Sequence, residues 1–148
     1  MTYNTIHNSQ VFDTVVSGAL VLVVGQIFQK FVLEPIKEYK KIVGEIDNKL
    51  KYYSSILTNT VGDKDMIIKI TDTMRDLSCQ IESIYKQIPL TVLFSKLGII
   101  EDKTNIAKVA QGLIFLSNAG GRHDSRIEKC DARIDEIRRL LHIESLSA

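Results

Sequence analysis

The sequence predicts an all-α protein, with one N-terminal transmembrane helix followed by a cytoplasmic helical bundle of about four longer helices and one short helix. Two observations predict this class. Residues 14–29 form a run of 16 residues without a formal charge, and the later segments repeat apolar residues at alternating steps of three and four. Such steps keep side chains on one face of a helix, whereas a strand needs period two. We therefore divide the chain into a short outer N-terminus at 1–13, a transmembrane helix at 14–33 and a cytoplasmic helical domain at 34–148.

The apolar run resumes after Lys30 with three more apolar residues, which gives roughly 20 residues or about 30 Å of helix, the thickness of a hydrocarbon core. Lys30 lies near the polar flank, where its long stem can carry the charge to the headgroups. A signal peptide does not fit, because residues 1–13 contain no Lys or Arg and no small-residue cleavage motif follows. The remaining alternative is a buried helix in the core of a soluble protein.

Lysines are concentrated on the C-terminal side of this run. Residues 30–49 contain five of them, whereas residues 1–13 contain none. The positive-inside rule then places the C-terminal domain in the cytoplasm and the N-terminus outside. The lysines nearest the membrane are expected to contact anionic headgroups. They are Lys30, Lys37, Lys40 and Lys41.

Four later segments carry apolar stripes with steps of three and four, and each predicts a helix. The stripes run from Ile36 to Leu57, from Ile67 to Ile88, from Ile106 to Leu116 and from Ile127 to Leu141. The first two helices are expected to form an antiparallel hairpin, because a short turn-like loop joins them. Between the second and third stripes, 90–100 is apolar enough for one short helix that ends at a glycine.

The stripes are narrow, and narrow seams suit helices that pair with each other or with copies of themselves, so we expect a bundle that also oligomerises. Pro35 predicts a kink or a short break where the helix leaves the bilayer. Thr104 is a candidate cap for the third helix. Cys79 and Cys130 belong to no C-x-x-C pair and are expected to be buried thiols in a reducing compartment.

Projected at 100° per residue, the transmembrane helix has two unlike faces. One is small and polar; its members are Thr14, Ser17, Gly18, Val21, Gly25 and Gln29, with Gln26 at its edge. The other is bulky and apolar. Small residues let helices approach closely, and polar groups prefer a partner or water to hydrocarbon, so copies of this helix are expected to meet through the small polar face. This leaves two hypotheses: a packed oligomeric anchor, or a pore in which this face lines an aqueous path.

Enzyme chemistry is not indicated. The three histidines show no H-x-x-x-H spacing and no partner cysteine at zinc-ligand spacing, and the sequence contains no phosphate loop, nucleophile elbow or dinucleotide fingerprint. We expect no metal and no cofactor.

Two segments are candidates for contact with an anionic ligand. The first is NAGGRHDSR, in which Arg122, His123 and Arg126 follow two glycines beside a helix start, an arrangement that suits phosphate oxygens. A helix stop followed by a loop explains the same residues. The second comprises Lys49, Lys51 and Tyr52, which could hold a nucleotide or a single strand by charge and stacking or could form solvated surface.

The order of segments resembles a known group of proteins. An uncharged outer N-terminus, one span, FVLEPIKEYKK leading into a long helix, LFSKLG, and LIFLSN before a last charged helix are similar to small single-span bacterial membrane proteins of unassigned role. The layout is also similar to that of membrane effectors of anti-phage defence, including the channel component of Hailong systems. The likeness covers most of the chain and contains no diagnostic motif, so it transfers no functional residue.

This resemblance implies a homo-oligomeric, tetrameric ion channel in the bacterial inner membrane. It further implies that single-stranded DNA oligomers from a companion nucleotidyltransferase hold the channel closed, and that loss of the DNA opens it. A ligand that binds only the closed arrangement can act in this way through its differential affinity. The residues themselves are equally compatible with another gating ligand, such as a cyclic nucleotide, and with a membrane-tethered scaffold that binds a partner protein through its heptad seams.

Overall fold

The computed structural model describes residues 3–58, 64–119 and 127–143, and these residues form helices and short connections without a strand. The helices are α1 (Tyr3–Phe28), a π-helical turn (Gln29–Leu33), α2 (Glu34–Thr58), α3 (Lys64–Gln87), α4 (Thr91–Lys96), α5 (Lys103–Ser117) and α6 (Ile127–Leu140). The all-α class and the long apolar N-terminal helix are confirmed. The helix begins at Tyr3, so the segment 1–13 that was expected to precede it is helical over its described part.

The first three of these elements form one continuous helix rather than a broken one. The predicted break at Pro35 is replaced by the π-helical turn, in which the backbone N–H of Glu34 donates to the carbonyl oxygen of Gln29. Pro35 has no N–H, and its ring would clash with the carbonyl group one turn earlier in an α-helix. A π-helical turn widens the backbone at this point, which is a common way to accept such a residue without ending the helix.

Four helices form an up-down-up-down bundle. α3 packs against α2 and α5, and α6 packs against α5 and α2, so each helix has two neighbours. The directions are shown by contacts between helix ends. Arg75, midway along α3, donates to Asn118 after α5 (3.1 Å), and Tyr85, near the end of α3, donates to the carbonyl of Glu101 before α5 (3.2 Å). α2 and α3 form the predicted antiparallel hairpin. We call the end where α2 begins the junction end.

The heptad stripes form the core of this bundle. Ile46, Leu50, Met74, Leu113 and Ile137 are each 0% exposed. Of the stripe residues with described burial, most are buried and Ile36, Val43, Ile67 and Ile84 are partly buried. The seams are therefore occupied by the chain's own helices, which is the first of the two pairings that their narrowness suits.

Of three smaller predictions, the short helix is confirmed, and the cap of α5 and the burial of Cys79 are corrected. The short helix is confirmed as α4, and it ends before Gly98, whose φ of 68° is a conformation that suits glycine. Asp102, rather than Thr104, caps α5, and its carboxylate accepts from the N–H of Lys103. Cys130 is buried, but Cys79 is exposed, because it lies on the side of α3 opposite the buried Leu77 and Ile81.

α5 and α6 approach each other closely at Gly112. A Cβ atom built there would lie 2.9 Å from Cγ1 and 3.0 Å from Cδ1 of Ile137, and 3.2 Å from Cδ of Arg133. Ile137 is fully buried and has little room to move. The absence of a side chain at this position therefore sets the distance between the two helices.

We expect Gly112→Ala to lower the free energy of unfolding, because the clash, at about 1–3 kcal/mol, exceeds the helix-propensity gain of roughly 1 kcal/mol. Thermal unfolding of the full chain in detergent, followed by circular dichroism, measures the change. Ile137→Val should cost less in the Gly112→Ala background than in the wild type, since it shortens the clashing side chain. Strictly additive effects would contradict this account of the α5–α6 contact.

Two buried tyrosines close the junction end of the bundle. The rings of Tyr39 and Tyr85 lie edge to face with centroids 6.3 Å apart. Tyr39 accepts from the backbone N–H of Glu101 (3.4 Å), and Tyr85 donates to the carbonyl of the same residue. Burial raises the pKa of the Tyr39 hydroxyl well above its usual range and also raises the pKa of Tyr85. These bonds join α2, α3 and the start of α5.

Alkaline pH should therefore destabilise the bundle. An unfolded tyrosine titrates near pH 10, whereas folded Tyr39 keeps its proton to higher pH. The stabilisation that the protonated Tyr39 gives to the folded state is therefore complete below about pH 10 and is lost as the pH rises further. Tyr39→Phe should lower the free energy of unfolding by about 1 kcal/mol at neutral pH, because the hydrogen bond is lost. Its free energy of unfolding should then fall less steeply at alkaline pH than that of the wild type. Unfolding free energies measured across this range test the difference in slope. Parallel pH profiles for the two proteins would refute the assignment.

Candidate functional site

The apolar part of α1 makes no core of its own within the chain. By length and composition it belongs to the one described helix that could cross a membrane, and none of its most apolar window is buried. Val21, at 72%, is the most exposed of its large apolar residues. The bundle therefore does not use this segment as a core helix, which was the alternative explanation of its apolar run.

The predicted small polar face lies on α1 and at the start of the π-helical turn. Its seven residues are all exposed in the single chain: Thr14, Ser17, Gly18, Val21, Gly25, Gln26 and Gln29. A Cβ atom built at Gly18 or Gly25 would have no neighbour within 4 Å. Packing among the described residues does not explain a glycine at either position. Both remain available for close contact between copies.

The π-helical turn sets the direction of this face relative to the bundle. Val21 and Tyr39 are 18 residues apart, so in an uninterrupted α-helix they would lie five turns apart on the same side. The extra residue of a π-helical turn rotates the C-terminal part of the helix by about 100°. The small polar face is thus turned by roughly a quarter turn from the side of α2 that packs into the bundle.

The four lysines predicted to lie at the membrane surface are exposed and follow the apolar segment directly. Lys30 lies in the π-helical turn, and Lys37, Lys40 and Lys41 lie in the first turns of α2. A groove at this level is lined by Lys30, Phe31, Glu34, Pro35 and Glu38 of the long helix and by Gln87 at the end of α3. The junction end of the bundle therefore lies beside the lysines.

The second basic strip lies farther along α2 and is already paired in part. Lys51 donates to a carboxylate oxygen of Asp47 at 2.6 Å, and the other oxygen of Asp47 lies 3.7 Å from Nε of Arg138 in α6. Tyr52 is 65% exposed, and its ring packs edge to face on the buried Tyr53. Lys49 is half-buried. Tyr52 keeps a free ring face for stacking, whereas the charge of Lys51 is largely balanced by Asp47.

The first basic candidate lies mostly outside the described residues, including Arg122, His123 and Arg126. Its first residue, Asn118, is described and ends α5. The Asn118 side chain donates to the carbonyl of Ile114 (3.0 Å) and accepts from Arg75. The start of NAGGRHDSR thus acts as a helix stop, as the simpler of the two interpretations predicted.

No group of three or more His, Cys, Asp or Glu side chains is placed to hold a metal ion in the described part of the chain. Sequence reasoning missed one surface, around α4, where several apolar side chains are exposed. Its signal was the spacing of Leu90, Leu93 and Leu97, which places three leucines on one side of a short helix. No protein-family model, curated protein or solved structure matches this chain.

Proposed function

We propose that this chain is a homo-oligomeric membrane effector, a ligand-gated pore that disrupts the membrane potential in a bacterial defence response. The observation that carries the proposal is the exposure of the whole segment 12–31 in a chain whose bundle buries its other apolar stripes. Burying apolar surface is favoured by about 25 cal/mol per Å². A bilayer offers this burial to a helix of such length.

Self-association is supported by the composition of the exposed helix. Lipid tails contact all sides of a lone helix equally, so a lone anchor has no use for a separate face of Ser17, Gly18 and Gly25. Where several copies meet, small residues allow close packing and hydroxyl or amide groups can face each other or water. An aqueous path lined by Thr14, Ser17 and Gln29 results if enough copies surround it, and four is the number that the resemblance implies.

The bundle is proposed to control the path. Because the long helix Tyr3–Thr58 belongs to both parts, a ligand that changes the bundle's arrangement also moves the pore segment. Arg122, His123 and Arg126, with Tyr52 and Lys49, are proposed contacts for an anionic ligand such as a single-stranded DNA oligomer or a nucleotide from a companion enzyme. The assignment to defence rests on the resemblance.

The scaffold alternative is less well supported. It requires heptad seams that can accept a partner helix, but Leu50, Leu77 and Leu113 are at most 1% exposed. A partner would have to displace one of the chain's own helices. The pore proposal requires no such displacement.

Reconstitution provides the test. The purified full chain is inserted into planar bilayers, and the current is recorded before and after single-stranded DNA oligomers are added to the bundle side. We expect discrete openings that DNA suppresses, and chemical cross-linking in the same membranes should give a ladder that ends at one oligomer size.

In cells, expression should collapse the signal of a membrane-potential dye, and co-expression of the companion enzyme should restore it. A chain that inserts and forms oligomers but carries no current, with or without DNA, would leave only the anchor hypothesis. Current that ignores DNA would support the pore and reject this ligand.

A further inference from the structure

The short helix α4 and its flanks carry an exposed apolar surface. Leu90, Val92 and Leu97 are 66%, 69% and 62% exposed, and Leu93 is half-exposed. Beyond Leu33, five of the eight exposed large apolar residues of the described chain lie in 90–99. The opposite side of α4 is anchored, because Phe94 packs against the bundle core. α4 is thus held on the bundle with its apolar side outward, where single exposed residues would be ordinary but a contiguous group marks a contact.

The position of α4 in the fold identifies what this surface meets. α3 runs toward the junction end, and its last residue, Gln87, lines a groove with Lys30, Phe31 and Glu34. α4 begins at Thr91, four residues later, and the chain returns at Glu101, which bonds to Tyr39 and Tyr85. The segment 88–100 is therefore a loop and helix that begins and ends at the junction end, beside the point where the apolar segment 14–33 ends.

The charges around α4 suit the same surroundings. Lys96 lies one helical turn from Val92 and lines a shallow groove with Leu90, Val92 and Leu93. Its stem can lie along apolar surface while the ammonium group reaches phosphate oxygens. Together with the lysines of the π-helical turn and early α2, it places cations around an apolar surface, the pattern of helices that lie in the headgroup region of a bilayer.

We propose that α4 is a second membrane contact, an interfacial helix whose residues Leu90, Val92, Leu93 and Leu97 enter the boundary between headgroups and acyl chains. The inference rests on the proposed membrane insertion of the apolar segment and goes beyond it, since the bundle itself then lies against the bilayer. Lipid is favoured over a second copy because the segment 88–100 follows Gln87, which lines a groove with Lys30 and Phe31 at the end of the proposed membrane segment.

Fluorescence provides a direct test, because the sequence contains no tryptophan. Three single-tryptophan variants of the full chain are reconstituted in vesicles of anionic and zwitterionic phospholipid. Val92→Trp reports on α4, Phe28→Trp on the apolar segment, and Ile68→Trp on an exposed position at the far end of α3. All three side chains are more than half exposed, so the substitutions should not disturb the core. Leu97→Trp serves as a second reporter of α4 if Val92→Trp folds poorly.

Bromine-labelled acyl chains quench tryptophan only on close contact, and iodide quenches it only from water. We expect brominated lipid to remove most of the emission of Val92→Trp and Phe28→Trp and to leave that of Ile68→Trp nearly unchanged. Iodide should quench Ile68→Trp strongly and the other two variants weakly. Bromine near the headgroup should quench Val92→Trp more than bromine near the chain end.

Three results would overturn the proposal. If Phe28→Trp is quenched by lipid but the α4 reporters respond only to iodide, α4 faces water and the membrane segment stands alone. If the α4 reporters are shielded from both quenchers, the surface is covered by another copy of the chain. If Phe28→Trp itself escapes lipid quenching, the membrane insertion fails and the interfacial helix fails with it.

Discussion

Gly18→Leu is expected to abolish the current of the reconstituted protein while leaving the bundle as stable as before. In the described part of the chain, nothing lies within 4 Å of a Cβ atom built at Gly18, so a larger side chain there should not disturb the packing of a single molecule. Between copies that meet through the small polar face, a leucine would hold the helices apart or fill the path. Single-channel recording measures the loss, and a membrane-potential dye should show that cells expressing the variant keep their potential.

Gly44→Leu is the matched control. Gly44 also has no atom within 4 Å of a built Cβ, but it lies in α2 on the exposed side of the bundle. The change should raise helix propensity by up to about 1 kcal/mol and leave the current unchanged. Equal currents from Gly18→Leu and the wild type, with both inserted, would argue that the small polar face meets only lipid.

Leu50→Ala should strongly destabilise the bundle. Leu50 is 0% exposed and lies in the C-terminal half of α2, where its side chain is part of the core cluster. Removing its methyl groups should lower the free energy of unfolding by about 2–5 kcal/mol, since transfer and cavity costs add. Much of the stability of a typical domain, about 5–15 kcal/mol, would be lost.

The two cysteines offer a measurement that works in a membrane. Cys130 is 1% exposed and Cys79 is exposed, so in a Cys79→Ser background a maleimide labels Cys130 only when the bundle opens. Leu50→Ala should raise this labelling rate by about 30-fold to a few thousand-fold, because each 1.4 kcal/mol changes an equilibrium tenfold. Ile68→Ala, at an exposed position, should leave the rate unchanged. A similar rate for both variants would mean that α2 is not part of the cooperative core.

The bundle was predictable because its core follows a sequence period. The stripe residues Ile46, Leu77, Val109 and Ile134 recur at steps of three and four and are buried. Ile42 is equally buried but lies outside the predicted stripe, because α2 packs against both α3 and α6 and needs a wider face than a two-helix seam. The spacing of apolar residues therefore predicted the helices, whereas the width of each buried face depends on how many helices pack against it.

The features that were missed depend on tertiary placement. Pro35 signalled a disturbance of the helix, but its local effect could be a break, a kink or a π-helical turn, and the turn that occurs joins α1 to α2 without a break. The apolar composition of 90–100 predicted a short helix without showing which side it would bury. Within α4, Phe94 packs against the core, whereas Val92 and Leu93 are left exposed. The candidate polar face came from helical projection, and its residues Gly18 and Gly25 have no neighbour within 4 Å of a built Cβ atom in the described chain.

The unbroken helix Tyr3–Thr58 makes the molecule a torsionally stiff rod. A bend at a flexible hinge would absorb motion, but a rod transmits twist along its whole length. The π-helical turn is a place in this helix where the winding departs from α geometry. Rewinding it would turn one half against the other by the angle of a single residue, about 100°, but would bring the Pro35 ring against a carbonyl group. In the proposed oligomer, such a twist would change the side of the apolar segment that faces the other copies.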